Sequence, residues 1–94
     1  MTKGTDLITT ERQRQIEVEG YDAEHDRDES VALALAGATY AIPSTLRQVD
    51  AEGPLMWPWE LRYWKPTPAD RIRELTKAGA LIAAAIDSLS DPKP

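Results

Sequence analysis

The sequence predicts an all-α fold: a small helical bundle of three main helices joined by an irregular, aromatic-rich linker. Three observations carry that expectation. Residues 67–89 repeat apolar side chains at helical spacing behind a Thr-Pro start. Residues 29–41 hold five alanines, which favour helix over strand despite the alternation of Val31, Leu33 and Leu35. Helix-breaking residues gather between these segments, at Pro43, Gly53, Pro54, Pro58 and Pro66.

The first predicted helix spans residues 7–19. Asp6 is placed to cap it, Thr10 and Gln13 have capping-box spacing one turn later, and Gly20 suits the C′ position. At 100° per residue, Ile8, Arg12, Gln15, Ile16 and Glu19 share one face, so the helix packs by two isoleucines while turning an arginine and a carboxylate inward. An acidic connector follows, with Asp22, Glu24, Asp26, Asp28 and Glu29 around His25 and Arg27. Asp28 or Ser30 can cap the second helix, residues 29–41, which is apolar nearly all round and so expected to be buried.

Residues 44–56 read as irregular, with one helical turn near 44–49 and a turn at Gly53-Pro54. All three tryptophans and one of the three tyrosines then fall between positions 57 and 64. Pro58 suits the first position of a short helix that Pro66 closes. In the last helix Thr67 is the expected cap, Pro68 takes N1 and Asp70 takes N3. Its core stripe is Ile72, Leu75, Gly79, Ile82, Ile86 and Leu89, and Leu81 with Ala84 and Ala85 forms a second apolar face almost opposite. Two such faces on one short chain point to a homo-oligomer, or to a helix crossing the middle of the bundle.

Ninety-four residues fit one domain over 1–94, with 1–5 and 90–94 as flexible tails. The composition is globular, 41% hydrophobic and 29% charged. There is no cysteine and one histidine, which removes thiol catalysis, thiolate metal sites and any site needing two imidazoles from one chain. A net charge of −5 argues against duplex nucleic acid as a partner. No run approaches the roughly 18–20 apolar residues of a membrane span, and the start Met1-Thr2-Lys3-Gly4 lacks the apolar core of a signal peptide. A cytoplasmic protein without a membrane partner is therefore expected.

No Gly-x-Ser-x-Gly and no phosphate-cradling glycine loop is present, and no catalytic residue is assigned. The stronger signal is for binding. Trp57, Trp59 and Trp64 offer flat faces on which a base can stack, and Lys65, Arg71 and Arg73 follow closely with charge for an anion. Arg12, set between Ile8 and Ile16, is expected to be partly buried and needs a partner: Glu19, Asp26 or a ligand's phosphate. His25 beside Asp26 completes the candidate ligand-binding set as a possible proton-transfer pair. Each has a structural alternative: tryptophans as core, Arg12 in a salt bridge, the connector as a solvated charge run. No cofactor is required by this reading, although Asp22, Glu24, Asp26 and Asp28 carry the hard oxygens that magnesium prefers.

Several blocks in order, Glu11-Arg12-Gln13-Arg14-Gln15, Gly20-Tyr21, Glu24-His25-Asp26, Trp57-Pro58-Trp59, Trp64-Lys65-Pro66 and Lys77-Ala78-Gly79-Ala80-Leu81, resemble a family of small uncharacterised phage and prophage proteins. That resemblance implies a viral origin and a host-cell cytoplasmic location. The layout is also similar to MazG-like all-α nucleotide pyrophosphohydrolases, which implies a nucleotide pocket. Those enzymes need paired carboxylates where this chain has Ser30-Val31-Ala32-Leu33-Ala34-Leu35, and the last helix offers only Asp87. The expectation is a binding protein that sequesters a nucleotide or a nucleotide-derived immune signal. The alternatives are a metal-dependent nucleotide hydrolase using Asp22, Glu24, His25 and Asp26, and a structural or host-protein-binding phage protein.

Overall fold

A computed structural model describes residues 2–19 and 29–90 of the chain. It is built from three helices, α1 (Lys3–Glu19), α2 (Ser30–Ala41) and α3 (Arg71–Ser90), with a two-stranded hairpin and two short helical turns between α2 and α3. The protein is all-α in class, since its antiparallel strands β1 (Val49–Asp50) and β2 (Gly53–Pro54) have only two residues each. None of the described helices is long and apolar enough to cross a membrane.

The helix starts differ from the sequence expectation. Helix α1 begins one turn early because Thr2 caps it: the Thr5 amide donates to Thr2 Oγ1 at 3.3 Å and the Asp6 amide to the Thr2 carbonyl at 3.0 Å. Residues 3–5 are thus helical rather than tail, and Asp6 sits in the first turn, where its charge favours the positive helix end. Helix α2 starts at Ser30 with Glu29 as its N-cap, and no side chain closes that cap.

Helix α3 begins at Arg71, three residues after Pro68, because Asp70 takes the cap. Its Oδ1 accepts from the Arg73 amide at 3.0 Å and its carbonyl from the Glu74 amide at 3.1 Å. Thr67 instead closes a turn onto Asp70, whose amide donates to the Thr67 carbonyl at 2.8 Å. The linker's helical turn likewise sits at Leu61–Tyr63 rather than starting at Pro58. The earlier turn expected near 44–49 is found at Ser44–Leu46, followed by the hairpin.

Helix α3 is the spine of the fold, with α1 and α2 both packed on it. Leu33, Ala36 and Tyr40 of α2 meet Ala78, Leu81, Ala84 and Ala85 of α3, and Trp57, Trp59 and Trp64 of the linker pack against that core. The two helices run antiparallel: Gly37 lies beside Ala78 and Leu81, while the later Tyr40 and Ala41 reach back to Arg71. They also lie close. A Cβ on Gly37 would stand 2.9 Å from Ile82 Cγ1 and 3.1 Å from the Ala78 carbonyl.

That closeness reverses the expected orientation of α3. The stripe of Ile72, Leu75, Ile82, Ile86 and Leu89 is 43–73% exposed, whereas Leu81, Ala84 and Ala85 are at most 6% exposed. Ala78 and Ala85 let the backbones approach, with Leu81 packed beside Gly37 and Ile82 at the edge of the contact. Gly79, expected within the core stripe, instead lies under Ile8 of α1, whose Cδ1 would be 2.5 Å from an added Cβ.

A buried ion network locks the end of α2 to the start of α3. Glu74, fully buried, accepts from Arg47 Nη2 at 2.6 Å, from Arg71 Nη1 at 3.3 Å and from the Thr67 amide at 3.0 Å. The same guanidinium groups donate to the last carbonyls of α2: Arg47 to Thr39 and Tyr40, Arg71 to Tyr40 and Ala41. Those carbonyls have no partner within their own helix, so two arginines satisfy them and complement the negative helix end. Burial raises the Glu74 carboxyl's pKa, but hydrogen bonds from Arg47, the Thr67 amide and Arg71 outweigh it and hold the pKa below the ordinary value.

Candidate functional site

On the side of α3 away from its exposed stripe, α1, α2 and the tryptophan linker border a half-open cavity of about 370 Å³. That is within the usual range for small-molecule sites, about 300–1,000 Å³. Helix α1 contributes Glu11, Arg14 and Gln15, α2 contributes Tyr40, and α3 contributes Arg73, Lys77 and Leu81. The linker supplies Trp57, Trp59, Tyr63 and Lys65. Helical spacing explains the α3 set, because positions 73, 77 and 81 advance by four and stay on one face.

The aromatic wall is organised around Tyr40. Its ring stands edge-on to Trp57 at 5.7 Å and tilted against Trp64 at 4.7 Å, and its hydroxyl accepts from the Lys65 amide at 3.0 Å. Trp57 is anchored from its other end, where the indole N–H donates to the Glu60 carbonyl at 3.1 Å, and Trp59 stands edge-on to it at 5.5 Å. Lys77 Nζ sits 5.3 Å from the Tyr40 ring centre and donates to the Lys65 carbonyl at 2.9 Å. Prolines at 58 and 66 keep the residues before them, Trp57 and Lys65, out of helical conformation, so only the single turn at Leu61–Tyr63 forms between them.

The polar wall is organised around Glu11, which is only 3% exposed. Arg14 grips it with Nε at 3.0 Å and Nη2 at 2.8 Å, and Arg73 reaches across from α3 with Nη1 at 2.7 Å. Burial raises the carboxyl's pKa, yet the hydrogen bonds from Arg14 and Arg73 more than offset that and keep the group charged. The lining holds four cationic side chains, Arg14, Lys65, Arg73 and Lys77, against this one carboxylate. A net-positive cavity in a chain of net charge −5 attracts anions against the field of the whole molecule.

One atom of this wall lacks what burial demands. Gln15 is 3% exposed, and its Oε1 is buried without a hydrogen-bond partner. An orphaned acceptor of this kind costs about 1–3 kcal/mol, and native structures keep few of them.

No known family, curated protein or solved structure matches the chain.

Of the residues singled out from sequence, Trp57, Trp59, Lys65 and Arg73 line the cavity. Three others do not. Trp64 lies behind the wall, packed on Tyr40 with the Arg47 guanidinium 5.1 Å from its ring centre. Arg71 is directed to the end of α2 and to Glu74, as described above. Arg12, 8% exposed, pairs with Asp87 of α3, with Nη2 3.0 Å from Oδ2. The expectation that it is buried and partnered stands, with Asp87 as a partner that its helical face did not suggest.

His25 and Asp26 lie outside the described residues, as do Asp22, Glu24 and Asp28, on which the magnesium reading rests. Among the described residues no three carboxylates, histidines or cysteines cluster to hold a metal.

Glu11, Arg14, Gln15, Tyr40, Tyr63 and Lys77 were not singled out as ligand contacts from sequence. A signal for two of them exists: Glu11 and Gln15 are four apart on α1 and face the same way. Lys77 of α3 has no such signal, because its place depends on which side of that helix turns inward.

Proposed function

We propose that this chain binds a small planar anion in the cavity, with a nucleotide or nucleotide-derived signal as the ligand. The observation that carries the reading is the lining itself, in which four cations and four aromatic rings converge on one cavity of an acidic protein. Aromatic faces bind bases with about 1–3 kcal/mol each, and arginine forks suit phosphate oxygens. The resemblance to phage proteins favours sequestration of a host immune signal, with the ligand held and not converted.

The test is the melting temperature, followed by tryptophan fluorescence, against nucleotides, cyclic dinucleotides and ADP-ribose derivatives with and without magnesium. A ligand at a hundred times its Kd adds about 2.7 kcal/mol, a shift of several degrees in a small domain. Trp59→Ala and Lys65→Ala should remove the shift while keeping the fold. Recovery of the ligand intact supports sequestration, and magnesium-dependent turnover would favour the hydrolase instead. A flat response across the panel would leave the aromatic wall as a protein-docking surface.

We also propose a homo-oligomer formed through α3. Its outward residues Ile72, Leu75, Ile82, Ile86 and Leu89 share one face of the helix, at three-and-four spacing except at position 79, where Gly79 lies under Ile8. An apolar stripe of this length is uncommon on a lone monomer.

A further inference from the structure

We propose that the cavity is matched by charge to a nucleoside diphosphate, in preference to a mono- or triphosphate. The inference rests on the proposed nucleotide reading and adds the number of phosphates. Four cations of the lining stand against one carboxylate, Glu11, which leaves three positive charges. Arg14 takes both oxygens of that carboxylate, through Nε at 3.0 Å and Nη2 at 2.8 Å, so this pair closes on itself. Arg73 gives Glu11 only its Nη1, at 2.7 Å. Its Nε and Nη2 form the planar fork that suits an oxyanion. They take no partner among the described residues, and the side chain is 36% exposed. Lys65 is exposed, and its ammonium likewise has no partner among the described residues.

The fold concentrates that charge. Arg73 and Lys77 are four apart on α3, where like charges repel along one helix face. Lys77 Nζ donates to the Lys65 carbonyl at 2.9 Å, which ties the linker carrying the third cation to the same helix. A bound anion relieves the repulsion, and each charge it lacks leaves one cation unmatched. A nucleoside monophosphate carries about two negative charges at neutral pH, and a second phosphate adds about one more. The diphosphate therefore equals the positive charge of the lining. The third phosphate of a triphosphate finds no further cation there and meets the field of a chain with net charge −5.

The experiment is calorimetric titration of the full chain with the mono-, di- and triphosphates of adenosine and guanosine, at low ionic strength without magnesium. It is repeated on Lys65→Gln, with the melting temperature of each free protein. One matched charge at a protein surface is worth about tenfold in affinity. The wild type should bind diphosphates more tightly than monophosphates by that factor, and triphosphates no more tightly than diphosphates. Lys65→Gln should melt with the wild type, because the ammonium makes no bond in the fold, and should lose the step from mono- to diphosphate. Equal binding of mono- and diphosphates by the wild type overturns the charge match while the nucleotide reading survives. A second step of the same size at the triphosphate overturns it too, because that is a general attraction for anions. A step kept in Lys65→Gln removes Lys65 from the match, and a lowered melting temperature assigns it to the fold; either result overturns the proposal. Absence of binding in both nucleotide series removes the two readings together.

Discussion

Glu74 shows how much one side chain can hold. Its carboxylate joins Arg47, Arg71 and the Thr67 amide, and through the two arginines it secures the last carbonyls of α2. Removing it leaves Arg47, whose side chain is 4% exposed, without its counter-charge. Glu74→Ala is expected to cost about 3–5 kcal/mol, measured by urea denaturation. Replacing both Glu74 and Arg47 by apolar residues of similar size should cost less than Glu74→Ala alone, because no charge is then left buried.

Glu11 and Glu74 together also set a pH dependence. Both have folded-state pKa values below the ordinary 4.5. Their contribution is therefore complete above that value and is lost as pH falls below it, through the depressed folded-state values. Melting temperature should stay level between neutral pH and about 5 and then fall. Glu11→Gln should flatten part of that fall. A curve that does not change slope in the Glu11→Gln variant would contradict the role given to the Arg14–Glu11–Arg73 cluster.

At the scale of elements, the contact between α2 and α3 depends on small residues. Gly37→Ala places a methyl within 2.9 Å of Ile82 Cγ1 and 3.1 Å of a backbone oxygen that cannot turn aside. The overpacking cost of about 1–3 kcal/mol opposes a helix-propensity gain of about 1, so a net loss of stability is expected in thermal denaturation. The outward stripe of α3 makes the opposite kind of prediction. Ile86, 57% exposed, touches solvent in the single chain, so Ile86→Glu should leave helicity intact. Sedimentation should show the wild type as an oligomer and Ile86→Glu as a monomer. A monomeric wild type at high micromolar concentration would exclude the seam.

For the molecule as a whole, the cavity exists because three segments distant in sequence converge. Glu11 and Arg73 are 62 positions apart, and Tyr40 and Lys65 are 25 apart. The tryptophan linker was legible as a candidate wall because its rings and prolines are local features. The cationic half was legible at Lys65 and Arg73, which follow the tryptophans, whereas Arg14 and Lys77 resemble ordinary surface charges until the helices pack. The predicted ligand readout belongs at this scale as well: binding should quench or shift tryptophan emission, because Trp57 and Trp59 both line the cavity. Arg71→Ala should lower stability more than it alters affinity in the remaining folded protein, because its bonds go to the fold.

The sequence by itself determined the three helices, the irregular linker between α2 and α3, and the aromatic concentration at 57–64. Helix propensity, prolines and residue spacing act within a few positions and can be read along the chain. Tertiary structure decided which face of α3 is buried, and with it the identity of the site. Both faces are apolar, so periodicity alone favours the bulkier stripe. The choice falls to the alanine face because Ala78 and Ala85 let α2 approach closely at Gly37, and because Glu74 on that same face meets the two arginines that close α2. Once α3 is turned that way, Arg73 and Lys77 join Gln15 and the tryptophans at one cavity, while Arg71 is drawn into the fold.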